Sequence, residues 1–173
     1  MQNQLNTSNA NLVFKQTKML PSKPNIKKLS LDKAFDIVAK LEGLRLQAYK
    51  CPANVWTVGY GITVIDNKPI TKDTIITKEQ AKEYLCDYLS KSLDTIWKDV
   101  MNCNSNQIAA ILSFVYNCGS GAWFKSGLRR AVIASPNNFQ AISIEFKKWT
   151  KVNGKVMKGL VNRREAEIKL YCS

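Results

Sequence analysis

The sequence predicts an α+β fold, mostly helical, with a small antiparallel sheet lobe beside a larger helical lobe. Three observations predict it. From Leu31 onward apolar residues recur at helical spacing. Residues 44–65 change character, rich in Val, Ile, Thr, Tyr and Trp and broken by Pro52, Gly59 and Gly61, a composition of short strands. From Thr77 helical patterns return and hold almost to the C-terminus. A chain of 173 residues suits one domain and buries enough surface to fold without staples.

Taken in order, residues 1–30 are dominated by Asn, Gln, Ser and Lys, with Pro21 and Pro24 as punctuation. They read as a flexible basic tail or linker ahead of a folded unit spanning 31–173. They lack the continuous apolar stretch of roughly 7–15 residues that a secretory signal needs. Leu31, Ala34, Phe35, Val38, Ala39 and Leu41 then mark a helix. Ser30 is its expected N-cap, Asp32 suits its first turn and Gly43 its stop, which puts Glu42 in the last turn. Two or three short strands follow, and Asp66-Asn67-Lys68-Pro69 is a turn signal. Thr77-Lys78-Glu79-Gln80 offers a capping box to a helix running to about Leu93. Ser105 to Cys118 carries a broad apolar face of Ile108, Ala109, Ile111, Leu112 and Val115, the mark of a central core helix. Gly119-Ser120-Gly121 ends it, and further helices are expected near 126–134, 137–149 and 158–171.

Composition excludes several classes. No apolar run approaches the ~18 residues of a membrane span. There is no His, which removes His-dependent triads and His-rich zinc sites. Five Cys, at 51, 86, 103, 118 and 172, form no CxxC pair, an arrangement unlike a disulfide framework or a zinc ribbon. The formal net charge is +13, from 26 Lys and Arg against 13 Asp and Glu. Residues 1–30 hold five Lys and no acid, residues 31–121 balance, and residues 122–173 hold eleven bases and three acids. Such a field attracts a polyanion: nucleic acid, an anionic membrane or an acidic wall polymer. No nucleic-acid-binding motif accompanies the charge.

The polar residues Glu42, Cys51 and Thr57 cluster where helix gives way to sheet. A carboxyl at a helix C-terminus meets the negative end of the helix dipole, which favours the protonated acid. Glycoside hydrolysis needs such an acid on one side of the bond and a group on the other that activates water or attacks the sugar. Cys51 and Thr57, on the following strands, are candidates for the second side.

The segment Glu42-Gly-Leu-Arg-Leu-Gln-Ala-Tyr-Lys-Cys51-Pro-Ala-Asn-Val-Trp-Thr57-Val-Gly-Tyr-Gly61 resembles the active-site segment of the phage-type lysozymes, glycoside hydrolase family 24. Their motif is Glu, eight residues, Asp or Cys, five residues, Thr, and Glu42, Cys51 and Thr57 match it without a gap. The resemblance continues through Thr77-Lys-Glu-Gln-Ala, Ser113-Phe-Val-Tyr-Asn-Cys-Gly119 and Gly159-Leu-Val-Asn-Arg-Arg-Glu-Ala-Glu167. It covers about residues 31–173, and it implies a lysozyme-like fold.

The resemblance also implies an endolysin-type muramidase. Such an enzyme hydrolyses the β-1,4 bond between N-acetylmuramic acid and N-acetylglucosamine in bacterial peptidoglycan and so lyses the host. Glu42 would be its general acid, Cys51 its second catalytic group, and Thr57 would hold the attacking water. Tyr116, Thr63 and Ser143 fall at substrate-contacting positions, and Arg163 or Arg164 would pair with Glu42. No metal or cofactor and no nucleic acid is implied. A monomer is expected that waits in the host cytoplasm for a holin-type permeabiliser to open its way to the wall. Two positions depart from the common pattern. Cys51 stands where many members have Asp; an unperturbed thiol titrates near ~8.5 and is mostly neutral at pH 7. Ile62 stands where many have His after Gly61, which removes a charged contact and implies stability less sensitive to acid. A rival reading is a basic membrane- or wall-binding protein on an inactive lysozyme fold, supported by the charge of the last 52 residues.

Overall fold

The computed structural model describes residues 23–51 and 54–173. Seven helices and three short antiparallel hairpins form among them. The first helix, α1 (Lys23–Glu42), begins earlier than its sequence signals suggest. Ser30 is no N-cap. It lies fully buried inside the helix, its hydroxyl donating to the Ile26 carbonyl at 2.7 Å, the back-bonding open to a Ser within a helix. Ile26 packs against the core, which extends the helix N-terminally past Ser30, and Pro24 is tolerated because a first-turn N–H has no intrahelical partner anyway. The tail expected over 1–30 therefore falls partly outside the described residues, at 1–22, and partly on this helix.

Gly43, at φ +71°, turns the chain out of α1. Strands β1 (Arg45–Lys50) and β2 (Trp56–Gly59) pair antiparallel with Tyr49 opposite Thr57. The expected turn at 66–69 is a hairpin, with Asp66 and Asn67 at positive φ between β3 (Val64–Ile65) and β4 (Lys68–Pro69), the geometry a two-residue connection prefers.

α2 (Lys78–Val100) opens on the expected capping box: Gln80 N–H donates to Thr77 Oγ1 at 3.1 Å, and Thr77 N–H donates to Gln80 Oε1 at 2.8 Å. It runs past Leu93 because Ile96 and Val100 continue the buried face of Ala81, Leu85, Leu89 and Leu93. α3 (Ser105–Cys118) buries every residue from Gln107 to Val115 and packs against α1, α2, α4 and α7. It is the central helix.

Gly119 ends α3 at φ +84° and at once starts α4 (Ser120–Lys125), a short helix where only a stop was expected. α5 (Gly127–Ala134) and α6 (Phe139–Lys147) come next. A third hairpin, β5 (Lys151–Val152) and β6 (Lys155–Val156), turns on Asn153-Gly154, both at positive φ. α7 (Lys158–Tyr171) closes the chain. Phe114 at the middle of α3 meets Trp123, Phe146 and Trp149 edge-on, at ring-centroid separations of 6.5, 6.0 and 5.1 Å. The five cysteines form no disulfide; Cys103 is buried, which pushes its thiol up to about 11.

Asp99 ties α2 to α4 and α5. Its carboxylate accepts from Trp123 Nε1 at 3.0 Å, Arg129 Nε at 2.7 Å and Arg129 Nη2 at 2.9 Å. The Arg129 hydrogen bonds hold this carboxyl below its ordinary value. A depressed folded value means the stabilisation is complete above the ordinary carboxylate range and is lost as pH falls through that folded value. Asp99→Asn is expected to cost about 1–2 kcal/mol at neutral pH, lowering Tm by about 2–8 °C. The gap to the native protein should close in thermal melts taken below about pH 4. A gap that stays constant down to pH 2 would refute this account.

Candidate active site

Glu42 is the last residue of α1, and the Gly43 N–H caps back to Ala39 carbonyl at 3.1 Å. The helix end carries the Glu42 side chain to the boundary between the helical lobe and the β1–β2 hairpin, where it is 24% exposed. Arg163 Nη1 donates to Glu42 Oε1 at 2.6 Å. The arginine comes from α7, which packs across α3.

The other carboxylate oxygen faces Gly61. At φ +100° Gly61 takes a conformation other residues rarely adopt, and a Cβ there would stand 3.3 Å from Glu42 Oε2 and 3.7 Å from the Tyr116 hydroxyl. The glycine thus lets backbone approach the acid closely. Tyr116 donates to the Tyr60 carbonyl at 2.7 Å and meets Tyr88 edge-on at 5.0 Å. Burial, reinforced by the Glu42 carboxylate and Tyr88, pushes the Tyr116 phenol far up, so it stays protonated as a donor.

Two cavities flank the Glu42–Arg163 pair. On the Oε2 side Gly61, Ile62, Thr63, Val64, Tyr88 and Tyr116 line about 370 Å³. On the Oε1 side Leu41, Asn117, Val152, Met157, Leu160 and Arg163 line about 360 Å³.

Cys51 and Thr57 stand on the hairpin and share one acceptor. The Val55 carbonyl takes the Cys51 N–H at 3.0 Å and the Thr57 hydroxyl at 3.1 Å. Asn54 N–H in turn donates to the Cys51 carbonyl at 2.8 Å. The end of the hairpin therefore fixes these two residues relative to each other. Thr57 is buried and Cys51 half-buried.

Of the residues singled out from the sequence, Tyr116 and Thr63 line one cleft, and Glu42 touches its Gly61 wall; Cys51 and Thr57 line neither of the two cavities. Nor does Ser143: it sits half-buried on α6, which packs against α5 and α7. The arginine beside Glu42 is Arg163. Arg164 turns inward, stacks on Phe114 at 5.1 Å, and donates to Asn117 Oδ1 at 2.9 Å. Ile62, the apolar replacement after Gly61, lies in the cavity wall.

Sequence reasoning did not find Glu167 and Ser113. Glu167 is fully buried and its Oε1 accepts from Ser113 Oγ at 2.8 Å and Arg163 Nε at 3.2 Å. Burial pushes this carboxyl up, and the two arginines and the serine pull against it. The signal was present, since Glu167 lies four residues beyond Arg163 and three beyond Arg164, the spacings at which helix side chains meet. Among the described residues no cluster of three or more His, Cys, Asp or Glu could hold a metal ion.

The family model for phage lysozyme matches residues 39–167. An endolysin of Acyrthosiphon pisum secondary endosymbiont phage 1 is 34% identical over 145 residues, covering 81% of this chain and 95% of that protein. An endolysin of Bacillus phage B103 is 37% identical over 140 residues, 79% of this chain. This chain spans about half of the B103 protein, 51%. Among solved structures, the endolysin from Escherichia coli O157:H7 phage FAHEc1 superposes with a TM-score of 0.73 at 33% identity, covering 80% of this chain and 90% of that one.

Proposed function

The chain belongs to the phage lysozyme family, and from that premise we propose that it is an endolysin-type muramidase that hydrolyses the β-1,4 bond of bacterial peptidoglycan and lyses the cell. The observation that carries this reading is the Glu42 carboxyl, 24% exposed and held at Oε1 by Arg163, while Oε2 faces Gly61, a wall of the neighbouring cleft. A general acid needs both: a fixed orientation and a face open to the glycosidic oxygen.

Glu42 gives its proton to the oxygen between N-acetylmuramic acid and N-acetylglucosamine as that bond breaks. Positive charge grows on the sugar carbon, and water completes the hydrolysis. Cys51 is the second catalytic group and Thr57 holds the water. The Thr57 hydroxyl donates its hydrogen bond to the Val55 carbonyl, so toward a water it serves as an acceptor. Tyr116 and Thr63 line the saccharide cleft, and Ser143 makes a more distant substrate contact. The lytic unit is residues 31–173, with 23–30 prolonging its first helix. The charge of both ends draws the enzyme to an anionic wall.

The deciding experiment is mass spectrometry of the soluble products released from purified peptidoglycan. Hydrated muropeptides with a reducing N-acetylmuramic end are expected. Folded protein that releases nothing from several wall types would leave only a wall-binding role.

Cys51 has its own test. Cys86 and Cys172 are exposed and Cys118 is half-buried like Cys51, so alkylation is informative only in a Cys86→Ser, Cys118→Ser, Cys172→Ser background. There, alkylation should abolish turnover and Cys51→Asp should retain it, while Cys51→Ala should fall by about 10²-fold or more. Full activity in Cys51→Ala would remove this residue from the mechanism.

We propose further that the enzyme is a monomer and remains in the host cytoplasm until a holin-type protein admits it to the wall. No helix among the described residues is long and apolar enough to cross a membrane. Induced expression alone should leave host turbidity unchanged, and chloroform should then collapse it within minutes. Prompt lysis without a permeabiliser would contradict this route.

A further inference from the structure

Glu167 lies outside the cleft, yet one side chain connects it to the acid. Its Oε1 accepts from Ser113 Oγ at 2.8 Å, Arg164 Nη2 at 3.1 Å and Arg163 Nε at 3.2 Å. Its Oε2 stands 2.9 Å from Arg164 Nε, without the alignment of a hydrogen bond. Arg163 is gripped a second time by the Ser113 carbonyl, which accepts from Nη2 at 3.3 Å. A guanidinium is planar and its donors form a rigid fork. With Nε and Nη2 both committed, the direction of the remaining nitrogen is set, and that nitrogen, Nη1, meets Glu42 Oε1 at 2.6 Å. Both supports and the arginine they hold are buried: Glu167 and Ser113 have no exposed surface and Arg163 is 6% exposed.

We propose that Glu167 is a positioning residue: with Ser113 it aims the Arg163 guanidinium and thereby fixes the Glu42 carboxyl toward the scissile oxygen. The proposal rests on the assignment of Glu42 as the general acid. Its physical content is that an acid displaced by about 1 Å loses up to ~10²-fold in rate. A group that only holds α7 against α3 would leave the chemistry of folded molecules alone.

The test measures kcat and KM separately, on soluble uncross-linked peptidoglycan strands, well below the melting temperature of each variant. Glu167→Gln should lower kcat by about 10-fold or more while KM stays within about twofold. Glu167→Asp should recover part of that loss. Ser113→Ala keeps every buried charge paired, so it remains informative should Glu167→Gln not fold; its kcat should fall about threefold. Native kcat in the folded variants, with only a lowered Tm, overturns the proposal, as does a loss that falls in KM. Glu42→Gln is measured alongside. Activity there would sink the general-acid assignment and this inference together, whereas an inactive Glu42→Gln with native kcat in the other variants sinks this inference alone.

Discussion

Glu42→Gln should cut the release of muropeptides by about 10²–10⁴-fold while leaving the fold in place. The amide has the shape of the carboxyl but no proton to give a leaving oxygen. Its carbonyl oxygen can still accept from Arg163 Nη1, which now stands 2.6 Å from Oε1. Arg163 also keeps Glu167 as its buried counter-charge, at 3.2 Å. What stability is lost is the charge part of a contact whose acidic partner is 24% exposed, worth about 1 kcal/mol or less. Thermal melting within a few degrees of native, together with a nearly silent product assay, is the expected pair of results. A rate above about a tenth of native would mean that another group supplies the proton.

Glu167→Ala should have the opposite character, a large loss of stability. Here the carboxylate is completely buried between two guanidiniums, Arg163 at 3.2 Å and Arg164 at 2.9 Å. Deleting it leaves two cations in the core that face only neutral groups besides Glu42: Ser113, Asn117, the Cys118 sulfur and the Phe114 ring. Removing one partner of a buried ion pair costs about 3–5 kcal/mol, or about 6–20 °C in Tm for a protein of this size. Urea denaturation should show the midpoint falling with its slope unchanged. A midpoint within experimental error of native would mean that water or movement of α7 relieves the stranded charges.

The elements legible in the sequence are those whose signals are local. The Thr77–Gln80 capping box, the apolar run of α3 and the Gly43 stop each depend on a few neighbouring residues, and each stands where expected. Ser30 misled because a cap signal counts only when no tertiary contact carries the helix past it, and Ile26 supplies that contact. At Gly119 the same glycine that ends one helix begins another; a positive φ marks a change of direction, and the residues beyond it decide between a new helix and a loop. The β5–β6 hairpin carried a local Asn-Gly signal, but its strands have two residues each, too short to show alternation.

At the site, spacing along the chain singled out Glu42, Cys51 and Thr57 as candidates but could not choose between Arg163 and Arg164. Successive helix residues point about 100° apart, so only the packing of α7 on α3 decides which arginine reaches the acid. Glu167 was hidden for a similar reason. Its charge reads as one more polar helix residue until α3 covers it.

α1 has a consequence for anything joined to the front of this enzyme. It is a 20-residue helix with Lys23 at one end and Glu42 at the other, a rod of about 30 Å. A purification handle, a fluorophore or a targeting module joined directly to Lys23 is attached a full rod-length from Glu42. Cargo at that end should leave turnover on small soluble glycans untouched, and the N-terminal side is the natural place to build chimeras.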